Sequence, residues 1–183
     1  MKEKEIMKDN MKLMMDLKRM KENIFVDELT QLFNHRYLNI RLKEEMKRSK
    51  RYTLYLSLVL VEIDKTIDKE MAEKIKKLGE FIKCNVRDAD IISILDKNIF
   101  AIILPETNIE GANILSERLQ EQLSLFGNSS KGQECGTFGN QKINIGITSY
   151  PTDAGGLEDL LSKSLDMLKL SRESEENQIC SSL

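Results

Sequence analysis

Few residues in this chain are equipped for chemistry. The single histidine, His35, lies in "FNHRYL" at an expected helix start; with no evident acid–base partner it reads as a solvated helix residue. Cys84, Cys135 and Cys180 lie far apart without CxxC spacing. They make neither a zinc pattern nor a disulfide framework and read as free thiols in a reducing cytoplasm. Two carboxylates, Glu62 and Asp64, stand at the exit of the apolar run "LYLSLVLVEI". The turn Asp96-Lys97-Asn98-Ile99 joins the apolar runs "ADIISIL" and "IFAIILP". Such a turn is either an ordinary hairpin tip or the place of an active site.

The elements that must position these residues follow from periodicity. Ile6, Asn10, Leu13, Leu17, Met20 and Ile24 step alternately by four and three, a heptad seam. Asn10 on that seam suits a parallel dimer of fixed register; the other reading is a single amphipathic helix packed on its own domain. Asp27 braces a turn, and Asn34 starts a helix with Leu38, Leu42 and Met46 on one face. Residues 54–63 are apolar on both faces, as a central buried strand requires. A helix follows with Met71, Ile75, Leu78 and Ile82, then the two runs around the turn as a hairpin. Ala112, Leu115, Leu119 and Leu123 mark another helix, residues 127–139 a loop, "KINIGIT" an alternating strand and "LEDLLSKSLDMLKL" a closing helix. The remainder reads as a frayed polar tail. The fold class is therefore α+β: a ferredoxin-like βαββαβ core with a mainly antiparallel sheet, its helices on one face, preceded by an N-terminal helix. The expected organisation is an N-terminal helix over 1–25, one domain over 26–172 and a tail over 173–183.

Composition excludes several classes of function. A net charge of −2 gives no general pull on nucleic acid or anionic membrane. No apolar run reaches the length of a membrane span, and the charged N-terminus lacks the apolar stretch of a signal peptide. A cytoplasmic location is expected.

Order and motifs together resemble the GGDEF domain of diguanylate cyclases, from about Asp27 to Asn177. "DELTQLFNHRYL" resembles the family's D-x-L-T-G-L-x-N-R-R-x-x, with Asp27, Leu29, Thr30, Leu32, Asn34 and Arg36 in place and Gln31 where a glycine usually sits. "IFAIILPET" and "INIGITSYP" resemble two later strands. The resemblance implies a nucleotide-cyclase-like fold and, in the family, condensation of two GTP into cyclic di-GMP with Mg²⁺.

The same resemblance sets the register of the turn and exposes its departures. Phe100 aligns with the last signature letter, so Asp96, Lys97, Asn98 and Ile99 stand at Gly, Gly, Asp or Glu, and Glu. Side chains replace glycines that let the backbone approach the nucleotide. Asn98 offers a neutral carbonyl where a Mg²⁺-binding carboxylate is implied, and Ile99 can neither take a proton nor hydrogen-bond. Glu62 replaces the metal-binding aspartate. The guanine-reading N-D-x-x-G-H-x-x-G-D stretch is missing, leaving "KTIDKE". "SRESEEN" keeps Arg172 as one phosphate-facing cation and puts Glu176 where a second would stand. The expectation is no catalytic residue, no cofactor and vestigial metal positions at Glu62 and Asn98.

One family feature is kept. "RDAD" resembles the R-x-x-D inhibitory site, and Arg118, 18 positions past Phe100, matches the second arginine that holds cyclic di-GMP. Arg87 and Arg118 supply planar bidentate donors, and Asp90 accepts from guanine N–H groups. The plain alternative is a surface ion pair between Arg87 and Asp90 beside an ordinary solvated arginine. Two functions follow: a catalytically inactive module that binds cyclic di-GMP at Arg87, Asp90 and Arg118, reporting through a homodimer of the N-terminal helix; or a pseudo-enzyme that only assembles with a protein partner. Residual cyclase activity is a third, minor reading.

Overall fold

A computed structural model describes residues 11, 14, 24–63, 71–127, 142–173 and 179–182 of the chain. Its opening turn is built by side chains. The Asp27 carboxylate accepts from both the N–H and the hydroxyl of Thr30 at 2.8 Å. Gln31 then takes a φ of 57°. A side chain in this left-handed region costs about 1–2 kcal/mol that glycine avoids, which explains why a glycine suits the position. Asn34 caps the next helix, α1 (His35–Tyr52), its carboxamide oxygen accepting from the N–H groups of Arg36 and Tyr37. Leu38, Leu42 and Met46 recur every fourth residue and are buried on one face. His35 is exposed.

All eight side chains of β1 (Leu56–Ile63) are buried. It pairs antiparallel with β3 (Ile99–Pro105) on one side and β4 (Ile143–Tyr150) on the other. β2 (Ile91–Asp96) pairs antiparallel with β3, giving the order β2-β3-β1-β4-β5. The remaining helices are α2 (Met71–Asn85), α3 (Ile109–Gly127) and α4 (Leu157–Glu173). The result is the α+β fold expected, with two differences.

First, helices cover both faces of the sheet, not one. Val59, Val61, Phe100, Ile102 and Ile145 face α2 and α3, which contribute Ile75, Leu78, Ile82, Leu115 and Leu119. Leu56, Leu58, Leu60, Ala101 and Ile103 face α1 and α4, which contribute Leu38, Leu42, Leu160 and Leu168. The βαββαβ helices do share one face; α1 and α4 close the other. A strand apolar on both faces demands this, since each buried Leu or Ile is worth about 1.5–3 kcal/mol. Gly146 allows the close packing of α4: a Cβ there would stand 2.5 Å from the Leu168 nitrogen.

Second, the segment expected as a polar tail contains β5 (Ile179–Ser181), paired parallel with β4. Its three residues carry too short a pattern to announce a strand. At the other end, Ile24 is 46% exposed, so this last seam residue is not buried in the domain. Ile6, Asn10, Leu13, Leu17 and Met20 lie outside the described residues, as do Asp64, Cys135, Glu176 and the "KTIDKE" segment.

Candidate functional site

The turn between β2 and β3 divides its four side chains between solvent and core. Asp96 and Lys97 are exposed, and the Asp96 carboxylate accepts from the Lys97 N–H at 2.8 Å. Asn98 and Ile99 turn inward and are 1% and 7% exposed. Among the described non-glycine residues, positive φ occurs at Gln31, Thr53 and Glu106 only, so this turn is made without left-handed residues. Such a turn splays its strands, and the register shift between Ile94 and Asp96 supplies the compensating bulge. Ile99 packs with the α1 and α4 core and Phe100 with the α2 and α3 core. The turn is thus pinned by burial on both sides.

Asn98 reaches the end of β1. Its amide nitrogen donates to the Ile63 carbonyl at 2.8 Å and to Glu62 Oε1 at 3.2 Å. Glu62, 6% exposed, also accepts from Arg172 Nε at 2.6 Å, from Arg172 Nη2 at 2.9 Å and from the Asn144 amide at 3.4 Å. Arg172, read in sequence as a phosphate-facing cation, is instead paired with Glu62. Asn144 was not singled out in the sequence. It is the one polar residue in the first turn of an apolar alternation, and it lies directly across from Glu62 in the β1–β4 register. Among the described residues no three His, Cys, Asp or Glu side chains gather as a metal-ligand set.

A second place lies at the opposite end of β2. Between α2 and β2, the loop 86–90 is closed by Asp90, whose carboxylate accepts from the Arg87 N–H at 2.8 Å while its own N–H donates to the Arg87 carbonyl at 3.0 Å. The two residues are therefore joined through backbone groups, leaving the Arg87 side chain exposed. From α3, Arg118 Nη2 donates at 2.6 Å to the carbonyl of Asn85, at the C-terminal and negative end of α2. Arg87, Asp90 and Arg118 line one cavity of about 410 Å³, with Cys84, Thr107 and Ile114 on the same wall. Cys84 was read in the sequence only as a free thiol, and the 65% exposed Ile114 was not picked out; nothing in their local patterns places them at a cavity. Asp90 is half-buried, and burial pushes its carboxyl above the ordinary aspartate value; the Arg87 N–H bond and the charges of Arg87 and Arg118 oppose that rise. Arg87 and Asp90 also border a smaller cavity of about 290 Å³ that touches Lys83 and Phe33.

The cavity has the chemistry of an anion and amide receptor. Two guanidiniums offer forked donors, one carboxylate offers acceptors, and Leu104, Leu115 and Val86 give an apolar floor. Its volume falls in the range of small-molecule sites.

Comparisons with known proteins agree with the fold. No curated protein sequence matches the chain. Among solved structures, the coiled coil and GGDEF domain of DgcB from Caulobacter crescentus, in complex with c-di-GMP, is similar with a TM-score of 0.82 at 14% identity, over 97% of this chain and 96% of that one. The diguanylate cyclase SiaD from Pseudomonas aeruginosa, in complex with its activator SiaC, gives 0.75 at 21% identity, over 97% and 69%. The active GGEEF domain of a diguanylate cyclase from Vibrio cholerae gives 0.69 at 19% identity, over 82% and 97%. At such identities these likenesses speak for the fold alone. The family model for the diguanylate cyclase GGDEF domain matches residues 24–178. That span takes in the Asp27 turn, strands β1 to β4, all four described helices and the cavity at Arg87, and the chain belongs to the GGDEF domain family.

Proposed function

We propose that this chain is a GGDEF-family signalling module that does no cyclase chemistry and binds cyclic di-GMP in the cavity between the 86–90 loop and α3. The observation that carries the reading is the common cavity: Arg87 and Asp90 of one loop and Arg118, 28 positions further on, line it together. In the bound state the two guanidiniums pair with phosphate or guanine edges, and the Asp90 carboxylate accepts from guanine N–H groups. Ile114 and Leu115 give the bases an apolar surface. DgcB, similar in fold, is in complex with c-di-GMP, which makes that ligand the natural first probe.

Loss of catalysis is the second half of the proposal. An enzyme acting on a triphosphate needs cations and donors placed ahead of the developing charge. Here Asn98 and Ile99 are turned into the protein, and the Glu62 oxygens are taken by N–H donors. The chain therefore reports ligand binding and does not make the ligand. Its output runs through a parallel dimer of the N-terminal seam from Ile6 to Ile24. Exposure of the seam residue Ile24 supports that, as does the coiled coil that accompanies the GGDEF domain in DgcB.

Thermal unfolding with and without cyclic di-GMP, beside a GTP turnover assay in Mg²⁺ and Mn²⁺, tests both halves. The expected outcome is a ligand-dependent rise in Tm that Arg87→Ala abolishes, with no cyclic di-GMP made. Turnover of GTP would sink the catalytic half. An unmoved Tm at saturating ligand would sink the binding half.

A further inference from the structure

The Glu62 cluster is built like a cation site, and it already contains a cation. Five groups converge at the exit of β1 from four parts of the chain: Glu62 on β1, Asn98 in the β2–β3 turn, Asn144 on β4, Arg172 in the last turn of α4, and the Ile63 carbonyl. The family resemblance implies a divalent metal here, and the groups present do not fit one. Everything facing the carboxylate is the positive end of an N–H bond. The Asn98 amide must turn its nitrogen this way because it serves two acceptors, Glu62 Oε1 and the Ile63 carbonyl. The guanidinium approaches side-on, with Nε on one carboxylate oxygen and Nη2 on the other. A hard divalent ion needs oxygens on all sides, and this geometry presents nitrogens.

We propose that the Arg172 guanidinium is the resident counter-ion of Glu62, taking the place of a divalent metal, and that the cluster ties the end of α4 to the β2–β3 turn. The proposal concerns the opposite end of β2 from the Arg87 cavity and stands whether or not that cavity binds a nucleotide. The end of α4 is prepared for the role. Ser171 is fully buried and its hydroxyl accepts from the Ile145 N–H at 3.0 Å. The Arg172 carbonyl accepts from Lys142 Nζ at 2.8 Å. These contacts fix the backbone that carries the guanidinium. On the other side, the Asn98 carbonyl accepts from the Ile63 N–H at 3.2 Å, so the turn is held to β1 by backbone as well as side chain.

The cluster also predicts what happens without its cation. The buried side-chain oxygens Asn98 Oδ1 and Asn144 Oδ1 have no hydrogen-bond partner among the described residues. Removing the guanidinium leaves a buried carboxylate beside Asn144, whose amide makes one long bond of 3.4 Å to Glu62 and can turn its oxygen toward a divalent ion. The test is thermal unfolding of the full chain as wild type, Arg172→Met and Glu62→Gln/Arg172→Met, each with and without millimolar MnCl₂. The wild type should not respond to Mn²⁺. Arg172→Met should unfold roughly 4–8 °C lower and recover at least half of that loss with Mn²⁺. The double variant should lie closer to the wild type and ignore Mn²⁺. The proposal is overturned if Mn²⁺ raises the wild type as much as Arg172→Met, if Arg172→Met unfolds with the wild type, or if its loss is untouched by Mn²⁺. Should Arg172→Met fail to fold, the double variant decides: a folded double variant supports the pairing, and an unfolded one contradicts it.

Discussion

Asp90 holds the 86–90 loop closed and offers the cavity its only carboxylate among the described lining residues. Burial raises its pKa above the ordinary 3.8 against the pull of Arg87 and Arg118. A ligand whose N–H groups donate to Asp90 needs the ionised form. Affinity should therefore be full at neutral pH and fall as pH drops through the raised value, earlier than an unperturbed aspartate would cause. Titrating cyclic di-GMP from neutral pH down to the ordinary aspartate value of 3.8 should show this weakening in the wild type, with a much flatter profile in Asp90→Asn. Equal affinity across the range would remove Asp90 from the site. That Arg87, Asp90 and Arg118 belong together was implied by the family resemblance in the register set by Phe100, and the three line one cavity. The pairing of Arg172 with Glu62 was not. Those residues are 110 positions apart, and a strand exit meets a helix end only once the sheet order is known. Asn144 was hidden for the same reason, its meaning coming from a cross-strand neighbour.

At the scale of elements, local chemistry was the legible part. Asn34 and Asp27 announced the opening turn and the start of α1 by residue type alone. Gln31 was noted only as standing where a glycine usually sits; its left-handed φ came with the structure. The double cover of the sheet was written less plainly. Residues 54–63 read as a strand buried on both faces, and Leu56–Ile63 form it, yet assigning helices to faces needs contacts between distant segments. α4 owes its place to Gly146. A methyl group there would meet the backbone of Leu168 at 2.5 Å and of Ser164 at 2.7 Å, atoms that cannot rotate away. Gly146→Ala should cost about 1–3 kcal/mol by urea unfolding, because helix and strand must separate to admit it. Gly155→Ala, with open space around its Cβ position, is the matched control and should change stability far less. Equal losses at the two positions would contradict the packing argument.

For the whole molecule, two ends of one sheet carry different roles. One end of β2 abuts a cavity lined by arginines and an aspartate; the other leads into a turn closed over a salt-bridged cluster. No helix among the described residues is long and apolar enough to cross a membrane. Under the function proposed above, signal output depends on assembly through the N-terminal seam. Sedimentation should give the full chain the mass of a dimer and a chain lacking residues 1–23 the mass of a monomer; the same oligomeric state for both would return the helix to its own domain. The central claim remains the ligand. Isothermal calorimetry of cyclic di-GMP into the full chain at neutral pH measures it without a reporter. The account predicts saturable binding at micromolar ligand or below, weakened at least about tenfold in Arg87→Ala, the loss expected for a charged hydrogen-bonding partner. No heat with the wild type, or undiminished binding in Arg87→Ala, would contradict it.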